Sequence, residues 1–270
     1  MTSREWQLGD DSASRYEKVA VPAILGPFAK ALVDWAEMQS GDVVIDVGCG
    51  TGAATRPSAE KLGESGKVIG TDVNEGMLRV AQSLPPVSGA PIEWKQDSVY
   101  DLSFDDESAD VVLSAQMLQF LPDRQKALSE MRRILKTGKA LYISLWCDIG
   151  KSPYFDALLK AIATHIGEDT AAGLGAGFNL TDISEIVAMV QEAGFADVTT
   201  KVSELILPLP PMAEFVPKHI NATPMSVGYN NASESAQQAM LDEITQKLAS
   251  YQVDSGLAVP FRSHLIKAVK

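Results

Sequence analysis

The sequence predicts an α/β fold, a doubly wound and mostly parallel sheet covered by helices on both faces. Three observations carry that expectation. Short apolar, β-branched runs alternate with amphipathic helical stretches from residue 42 to residue 146. Each run reads as a buried strand rather than a half-exposed one, because it is apolar throughout. The first strand-to-helix junction is the run DVGCGTGAAT, residues 46–55, with glycines at 48, 50 and 52. Such alternation requires right-handed crossovers and yields parallel strands.

Taken in order, Pro22 opens an amphipathic helix with Leu25, Leu32, Val33 and Ala36 on one face, ended by Ser40 and Gly41. Residues 42–45 form the first strand and residues 67–71 the second. Asn74 then caps a helix through Met77, Leu78 and Val80. Residues 92–95 and 110–113 are the third and fourth strands. Asp123 starts a helix with Leu128, Met131 and Leu135 on one side, stopped by Gly138 before a strand over residues 140–146. After Trp146 the rhythm breaks. Residues 151–180 are helical in composition but end in a loose stretch from Gly173 to Gly177. Asp182 and Glu185 have capping-box spacing, and Ile183, Ile186, Val187 and Val190 form a buried face up to Gly194. Val198, Thr200 and Val202 alternate as a strand that Pro208, Pro210 and Pro211 interrupt. A mostly helical segment then runs to about Tyr251, and residues 264–269 make a last strand. The expected organisation is one domain over residues 1–270, with its core at about 16–146, 181–208 and 259–270. Two insertions, about 147–180 and 209–258, are expected to cover the substrate pocket as a lid.

Composition narrows the function. The chain has 270 residues, 46% hydrophobic and 21% charged, enough for a packed core. Its formal net charge of −12 repels a phosphate backbone, and no Lys/Arg-rich stripe offsets it, so nucleic acid is not the expected partner. The start of the chain is polar and acidic where a leader needs an apolar stretch. No later run reaches the roughly 18 apolar residues of a membrane span, so a soluble, cytoplasmic protein is expected. The two cysteines, Cys49 and Cys147, have no metal spacing and form no disulfide framework; Cys147 reads as a small core residue.

The glycine turn asks for a ligand. A strand-to-helix turn free of side chains offers backbone N–H groups at a helix N-terminus and admits a nucleotide-like molecule closely. The spacing G-x-G-x-G departs from the dinucleotide pattern G-x-G-x-x-G, and no Gly-Lys-Ser/Thr follows, so it is not a P-loop. Three acids sharpen the reading. Asp72, at the end of the second strand, is placed to accept hydrogen bonds from ribose hydroxyls. Asp97, beside Ser98 at the end of the third, suits an exocyclic amine such as that of adenine. Asp46, just before the glycines, disfavours phosphate and favours a cation.

These residues resemble a known family. Residues 46–52 (DVGCGTG), 70–77 (GTDVNEGM), 96–98 (QDS) and 109–123 (ADVVLSAQMLQFLPD) look like the successive motifs of class I S-adenosylmethionine-dependent methyltransferases. Residues 127–138 (ALSEMRRILKTG) are similar to the branch that contains the ubiquinone/menaquinone C-methyltransferases and many small-molecule methyltransferases. The likeness covers about residues 16–146 and beyond that is one of layout. It implies a Rossmann-like, seven-stranded sheet with its last strand antiparallel, and S-adenosylmethionine as cofactor. Carried over, Gly48, Cys49, Gly50 and Gly52 contact the methionine part, Asp72 the ribose and Asp97 the adenine amine. Val73 and Met77 sandwich the adenine ring, and Ser98 offers its backbone N–H.

The expected reaction is methyl transfer to O, C or N of a small acceptor. The cofactor carries the difficult chemistry, and the protein supplies positioning, desolvation and, where needed, proton removal. No Asn/Asp-Pro-Pro-Tyr motif, which marks the resembling enzymes that methylate nucleobase amines or protein glutamine, follows the fourth strand. Gln116 stands there instead and is expected to border the cofactor and orient the acceptor. Of the three histidines, His219 in the second insertion is the candidate base, while His165 and His264 read as structural. Tyr16, before the first helix, is expected to close over the cofactor. Phe155, Phe178, Met212 and Phe215, among few charges, suit an apolar or aromatic acceptor. No metal is expected. The alternatives are a protein of the same fold that binds the cofactor for another reaction or as a binding module, and a nicotinamide oxidoreductase, against which Asp46, Asp97 and the glycine spacing count. The sequence leaves the acceptor atom and the oligomeric state open.

Overall fold

The computed structural model describes residues 10–270, with side chains from Ser12 onward. The reading of the chain's start as polar and leaderless falls, for residues 1–9, outside the described residues. The chain enters as α1 (Asp10–Ala20), a π-helical turn (Val21–Leu25) and α2 (Gly26–Trp35). The helix expected to open at Pro22 therefore begins earlier, and Pro22 lies inside a continuous helical run. Proline has no N–H and crowds the carbonyl four residues back. The turn that holds Pro22 is widened, with Gly26 N–H donating to Val21 O.

Strand and helix then alternate: β1 (Val43–Val47), α3 (Thr55–Leu62), β2 (Lys67–Asp72), α4 (Glu75–Ser83), β3 (Ile92–Gln96), β4 (Ala109–Ala115), α5 (Arg124–Ile134) and β5 (Leu135–Trp146). Asn74 and Asp123 cap α4 and α5, accepting from the N–H groups of Met77 and Lys126. The helix expected to reach Gly138 stops at Ile134. Gly138 instead lies in β5 at φ +77°, where the register with β4 jumps from Ala109↔Leu135 to Val111↔Ala140. A left-handed glycine makes that bulge possible.

The rest of the chain is α6 (Pro153–His165), α7 (Glu168–Gly175), a 3-10 turn (Ala176–Phe178), α8 (Ile183–Glu192), β6 (Ala196–Leu209), α9 (Met212–Asn221), α10 (Ser226–Asn231), α11 (Glu234–Lys247), β7 (Gln252–Val253) and β8 (Gly256–Val269). The stretch read as loose, Gly173 to Gly177, is helical. Its small residues admit close neighbours: a Cβ on Gly173 would stand 3.3 Å from Met225 Cγ. Pro208 does not interrupt β6 either, because β6 is the last strand of the sheet and a missing N–H costs little on an edge. The final strand is longer than expected and starts at Gly256.

The sheet order is β3-β2-β1-β4-β5-β8-β6, with the two-residue β7 added on β8. Strands β1 to β5 run parallel, and β8 is antiparallel to β5 and β6, as the resemblance implies. Alternate residues face opposite layers. Val44, Val111 and Tyr142 pack on Leu32 and Val33 of α2 and on Leu62 of α3. Ile45, Val112 and Ile143 pack on Leu128 and Met131 of α5 and on Ile186 and Val190 of α8. A third cluster lies outside these layers. Pairing of β5 with β8 ends at Trp146↔Ser263, and the β6–β8 ribbon beyond it carries Leu207, Leu209, Val259 and Phe261 into a cap built by α6, α7, α9, α10 and α11.

Candidate active site

The glycine turn after β1 adopts φ +70° at Gly48, +56° at Gly50 and +93° at Gly52, a left-handed run that side-chain-bearing residues rarely adopt. A Cβ on Gly48 would stand 2.4 Å from Met117 Cγ, and one on Gly52 2.5 Å from the Trp94 ring. Gly50 faces open space. The turn is tied to β2. Gly50 N–H donates to Asp72 Oδ2 at 2.8 Å, and Asn74 N–H to Oδ1 at 2.8 Å. Burial pushes the Asp72 carboxyl up, and these backbone hydrogen bonds pull against it.

Asp46 is fully buried behind the turn. Thr55 Oγ1 donates to its Oδ2 at 2.6 Å, while Oδ1 has no partner among the described residues. Burial pushes this carboxyl up to about 7, with the Asp72 charge adding to the shift and Thr55 opposing it. A carboxylate so placed is stabilised by an incoming cation. Cys49 stands in the same wall, and burial raises its thiol well above the ordinary range.

Two cavities, of about 230 and 490 Å³, meet at the turn and share Gly48, Asp72, Met77, Met117, Gln119 and Phe120. The larger is a groove along the strand ends, lined also by Val73, Asp97 and Ser98. Asp97 is held by its neighbours. Its Oδ1 accepts from Ser98 N–H at 3.0 Å, and its Oδ2 from Ser103 N–H at 2.9 Å and Ser103 Oγ at 2.7 Å. The Ser98 N–H expected to meet a ligand is thus given to Asp97.

The smaller cavity runs from the turn into the cap and is lined by Tyr16, Asp46, Cys49, Gly50, Gln116 and His219, with Trp146, Phe155 and Phe178 at its far end. Those three rings form a box: Trp146–Phe155 at 5.3 Å, Phe155–Phe178 at 5.3 Å and Trp146–Phe178 at 6.4 Å between centroids. Among the described residues no lysine or arginine lines this chamber. Tyr16, on α1, packs beside Met77, and its phenol is raised by burial and by Asp72.

Gln116 follows β4 at φ +53°, a strained backbone for a side-chain-bearing residue. Its amide is fixed by a chain of hydrogen bonds anchored on a carbonyl: Ser263 Oγ donates to Leu145 O at 2.9 Å, Gln116 Nε2 to Ser263 Oγ at 3.0 Å, and Gln119 Nε2 to Gln116 Oε1 at 3.2 Å. Gln119 Oε1 is left buried and without a partner among the described residues. His219, 5% exposed, sits in the cap wall with Nδ1 2.8 Å from Tyr154 Oη and its ring stacked on Phe215 at 5.4 Å. Burial pushes the imidazole down to about 4. The other histidines lie elsewhere: His165 pairs with Glu243 at 2.7 Å, and His264 Nε2 is 3.0 Å from Thr181 O.

Of the predicted site residues, all but Gly52 line one cavity or both. Gly52 is instead pressed against Trp94, which explains the glycine without a ligand. Sequence reasoning missed Met117, Gln119 and Tyr154. Nothing local marks them, since each acts through a partner brought in from another element.

A family model described as a methyltransferase domain matches residues 45–143. The chain is 39% identical over 115 residues to the 2-phytyl-1,4-beta-naphthoquinone methyltransferase of Arabidopsis thaliana, covering 41% of this chain and 44% of that protein. It is 35% identical to the aklanonic acid methyltransferase DauC of Streptomyces sp. (strain C5), covering 49% of this chain and 60% of that one. These two matches thus span roughly half of each relative's length. The demethylmenaquinone methyltransferase of Staphylococcus carnosus is 31% identical, with 64% of this chain and 75% of that protein covered. Among solved structures, phosphoethanolamine N-methyltransferase 2 of Haemonchus contortus with S-adenosyl-L-methionine superposes at a TM-score of 0.61 and 18% identity, over 100% of this chain and 60% of that one. That likeness is one of fold. With the glycine turn, the three acids and the strand order in place, the chain belongs to the class I S-adenosylmethionine-dependent methyltransferases and resembles their ubiquinone/menaquinone C-methyltransferase-like branch.

Proposed function

We propose that this protein moves a methyl group from S-adenosylmethionine to O, C or N of a small apolar or aromatic metabolite held in the chamber under the cap. The observation that carries the reading is the join of the two cavities. A groove with carboxylates at Asp72 and Asp97 opens, past the glycine turn, into a box of Trp146, Phe155 and Phe178 that holds no lysine or arginine among the described residues. The residues present fit the cofactor, because Asp46, a buried acid with one oxygen unpartnered among the described residues, lines the cavity beside the glycine turn, where a cationic group would offset its charge. Bound there, S-adenosylmethionine supplies an electrophilic methyl on a sulfonium.

The protein's own part is binding and exclusion of water. Gly48, Cys49 and Gly50 border the methionine part, Asp72 takes the ribose hydroxyls, and Asp97 the adenine amine. Val73 and Met77 flank the ring, with Ser98 holding Asp97 in orientation. Gln116, locked at both ends of its amide, fixes the acceptor, and Tyr16 closes the cofactor side. His219 is the acceptor-facing imidazole. The segments 147–180 and 209–258 act as the lid. A naphthoquinone methyltransferase among the relatives agrees with an aromatic acceptor. Among the described residues no helix is long and apolar enough to cross a membrane. The acidic chain fits a small-molecule acceptor in the cytoplasm better than a nucleic acid.

The test is calorimetric titration with S-adenosylmethionine, S-adenosylhomocysteine and NADH, on the wild type and on Asp72→Ala. It is followed by release of S-adenosylhomocysteine across a panel of aromatic and isoprenoid acceptors. The reading expects both sulfur nucleosides to bind and Asp72→Ala to lose them by tenfold or more. Binding of NADH alone overturns it, and cofactor binding with no turnover on any acceptor favours a binding module.

A further inference from the structure

We infer that His219 presents an N–H rather than a lone pair to the acceptor chamber, that Tyr154 fixes it in this form, and that the acceptor therefore meets it with a bare oxygen, a carbonyl or an oxyanion. The inference rests on the reading of that chamber as the acceptor's, and it amends the expectation that His219 removes a proton.

The argument is a count of protons. Tyr154, in the first turn of α6, is fully buried, and its hydroxyl lies 2.8 Å from His219 Nδ1 with no other hydrogen-bond partner among the described residues. Among the described residues His219 Nε2 has no partner. With Nδ1 taken by Tyr154 and His219 lining the chamber, Nε2 is the nitrogen left to meet it. A neutral imidazole and a phenol have two protons to place on this pair. In one arrangement the Tyr154 hydroxyl donates to Nδ1 and Nε2 carries the ring proton. In the other Nδ1–H donates to the hydroxyl oxygen, and the phenol proton, in a side chain packed among Phe155, Phe215 and Phe261, has no acceptor among the described residues. Leaving that buried donor unmade disfavours the second form by roughly tenfold or more. A phenol is also the better donor of the two groups, and imidazole nitrogen the better acceptor.

The charged form does not intervene, since burial pushes the imidazole down to about 4 and no charged group among the described residues opposes it. His219 is neutral, with its basic nitrogen already occupied by Tyr154. What it offers the chamber is a directed hydrogen bond, which holds an oxygen lone pair beside the methyl-transfer site and accepts no proton.

The protein has only three histidines, so a long-range ¹⁵N–¹H spectrum of the ring nitrogens contains three systems, and loss of one in His219→Gln assigns it. The expected spectrum at neutral pH shows Nε2 protonated and Nδ1 as acceptor, the reverse tautomer being a tenth or less of the population. Tyr154→Phe is expected to release the lock and give a mixture. 1-Tetralone, whose carbonyl accepts, should move the Nε2–H resonance, and tetralin, its hydrocarbon counterpart, should not. Protonation at Nδ1 in the wild type, an unchanged tautomer in Tyr154→Phe, or equal shifts with the two probes each overturns the inference. Should Tyr154→Phe not fold, the wild-type tautomer and the probe pair still decide. None of these readouts needs cofactor or turnover, so they fail independently of the methyltransferase reading.

Discussion

The strand ends around the glycine turn and the cap above them both fix polar groups in a dry site, but by different means. At the strand ends main-chain N–H groups do most of the fixing, joined by the hydroxyls of Thr55 on Asp46 and of Ser103 on Asp97. Asp72 is held by Gly50 and Asn74, and Asp97 by Ser98 and Ser103. These donors are set by the backbone path, so they persist while side chains change. In and under the cap, side chains hold side chains: Tyr154 holds His219 across 65 residues, and Ser263 holds Gln116 across 147. One end is a property of the fold, and the other of this sequence. The family match follows the same division, covering residues 45–143 and stopping short of the cap.

The largest effect should come from the cap. Phe155 is 5% exposed and its ring meets Trp146, Tyr154, Phe178 and Phe261. Phe155→Ala is expected to cost about 3–5 kcal/mol of stability. If the two regions are independent, S-adenosylhomocysteine affinity should stay within twofold while acceptor turnover falls. Chemical denaturation and calorimetry on one sample check both, and a parallel loss of cofactor affinity would break the division.

The next effect lies at the turn and separates two glycines that look alike in sequence. Gly48→Ala must place a Cβ 2.4 Å from Met117 Cγ at φ +70°, so strain and overpacking together should cost about 2–4 kcal/mol. Gly50→Ala meets nothing within 4 Å and should cost only the conformational part, about 1–2 kcal/mol. Because Met117 borders both cavities, Gly48→Ala should also weaken S-adenosylhomocysteine by tenfold or more. Equal costs for the two variants would mean that conformation alone keeps these glycines.

The same division explains what the sequence revealed. Asn74, Asp123 and Asp182 were legible as caps because a cap is a contact within a few residues. The three acids were legible because each stands at a strand end. Pro22 and Pro208 misled for one reason: the cost of a missing N–H depends on what faces it, a π turn at Pro22 and a sheet edge at Pro208. Gly138 read as a helix stop, although its left-handed backbone serves a bulge in β5. His219 was visible as a residue but its chemistry was not, since Tyr154 reaches it only through the packing of α6 on α9.

A pH series sharpens the comparison, because the two regions titrate in opposite senses. The Asp46 carboxyl lies near 7 in the folded chain, above its ordinary 3.8, so the folded state binds a proton that the unfolded state lacks. Its contribution to stability is therefore lost as pH rises from about 4 to 7. His219 lies near 4, below its ordinary 6.5, so the unfolded state binds the extra proton, and stability is gained as pH rises through that interval. Between pH 4.5 and 6 each slope approaches about 1.4 kcal/mol per unit, and the two oppose each other. Asp46→Asn should leave the rising slope and His219→Gln the falling one, relative to the wild type. Urea denaturation across this range reads both, and two variants with the wild-type slope would show that neither group titrates as its burial requires.

The smallest effect is expected where the sequence looked most decisive. Pro208 is exposed on β6, paired with Ala258 at the edge of the sheet. Its missing N–H withdraws nothing from the ladder if it faces outward, and the ring narrows the unfolded chain a little. Pro208→Ala should therefore change stability by about 0.5 kcal/mol or less, with a slight loss the expected sign. Neither cofactor affinity nor turnover should move, since the residue lines neither of the two cavities at the glycine turn. A gain of about 1 kcal/mol or more would mean that the proline does interrupt the β6–β8 ribbon, and that the ribbon carrying the cap is strained where it leaves the sheet.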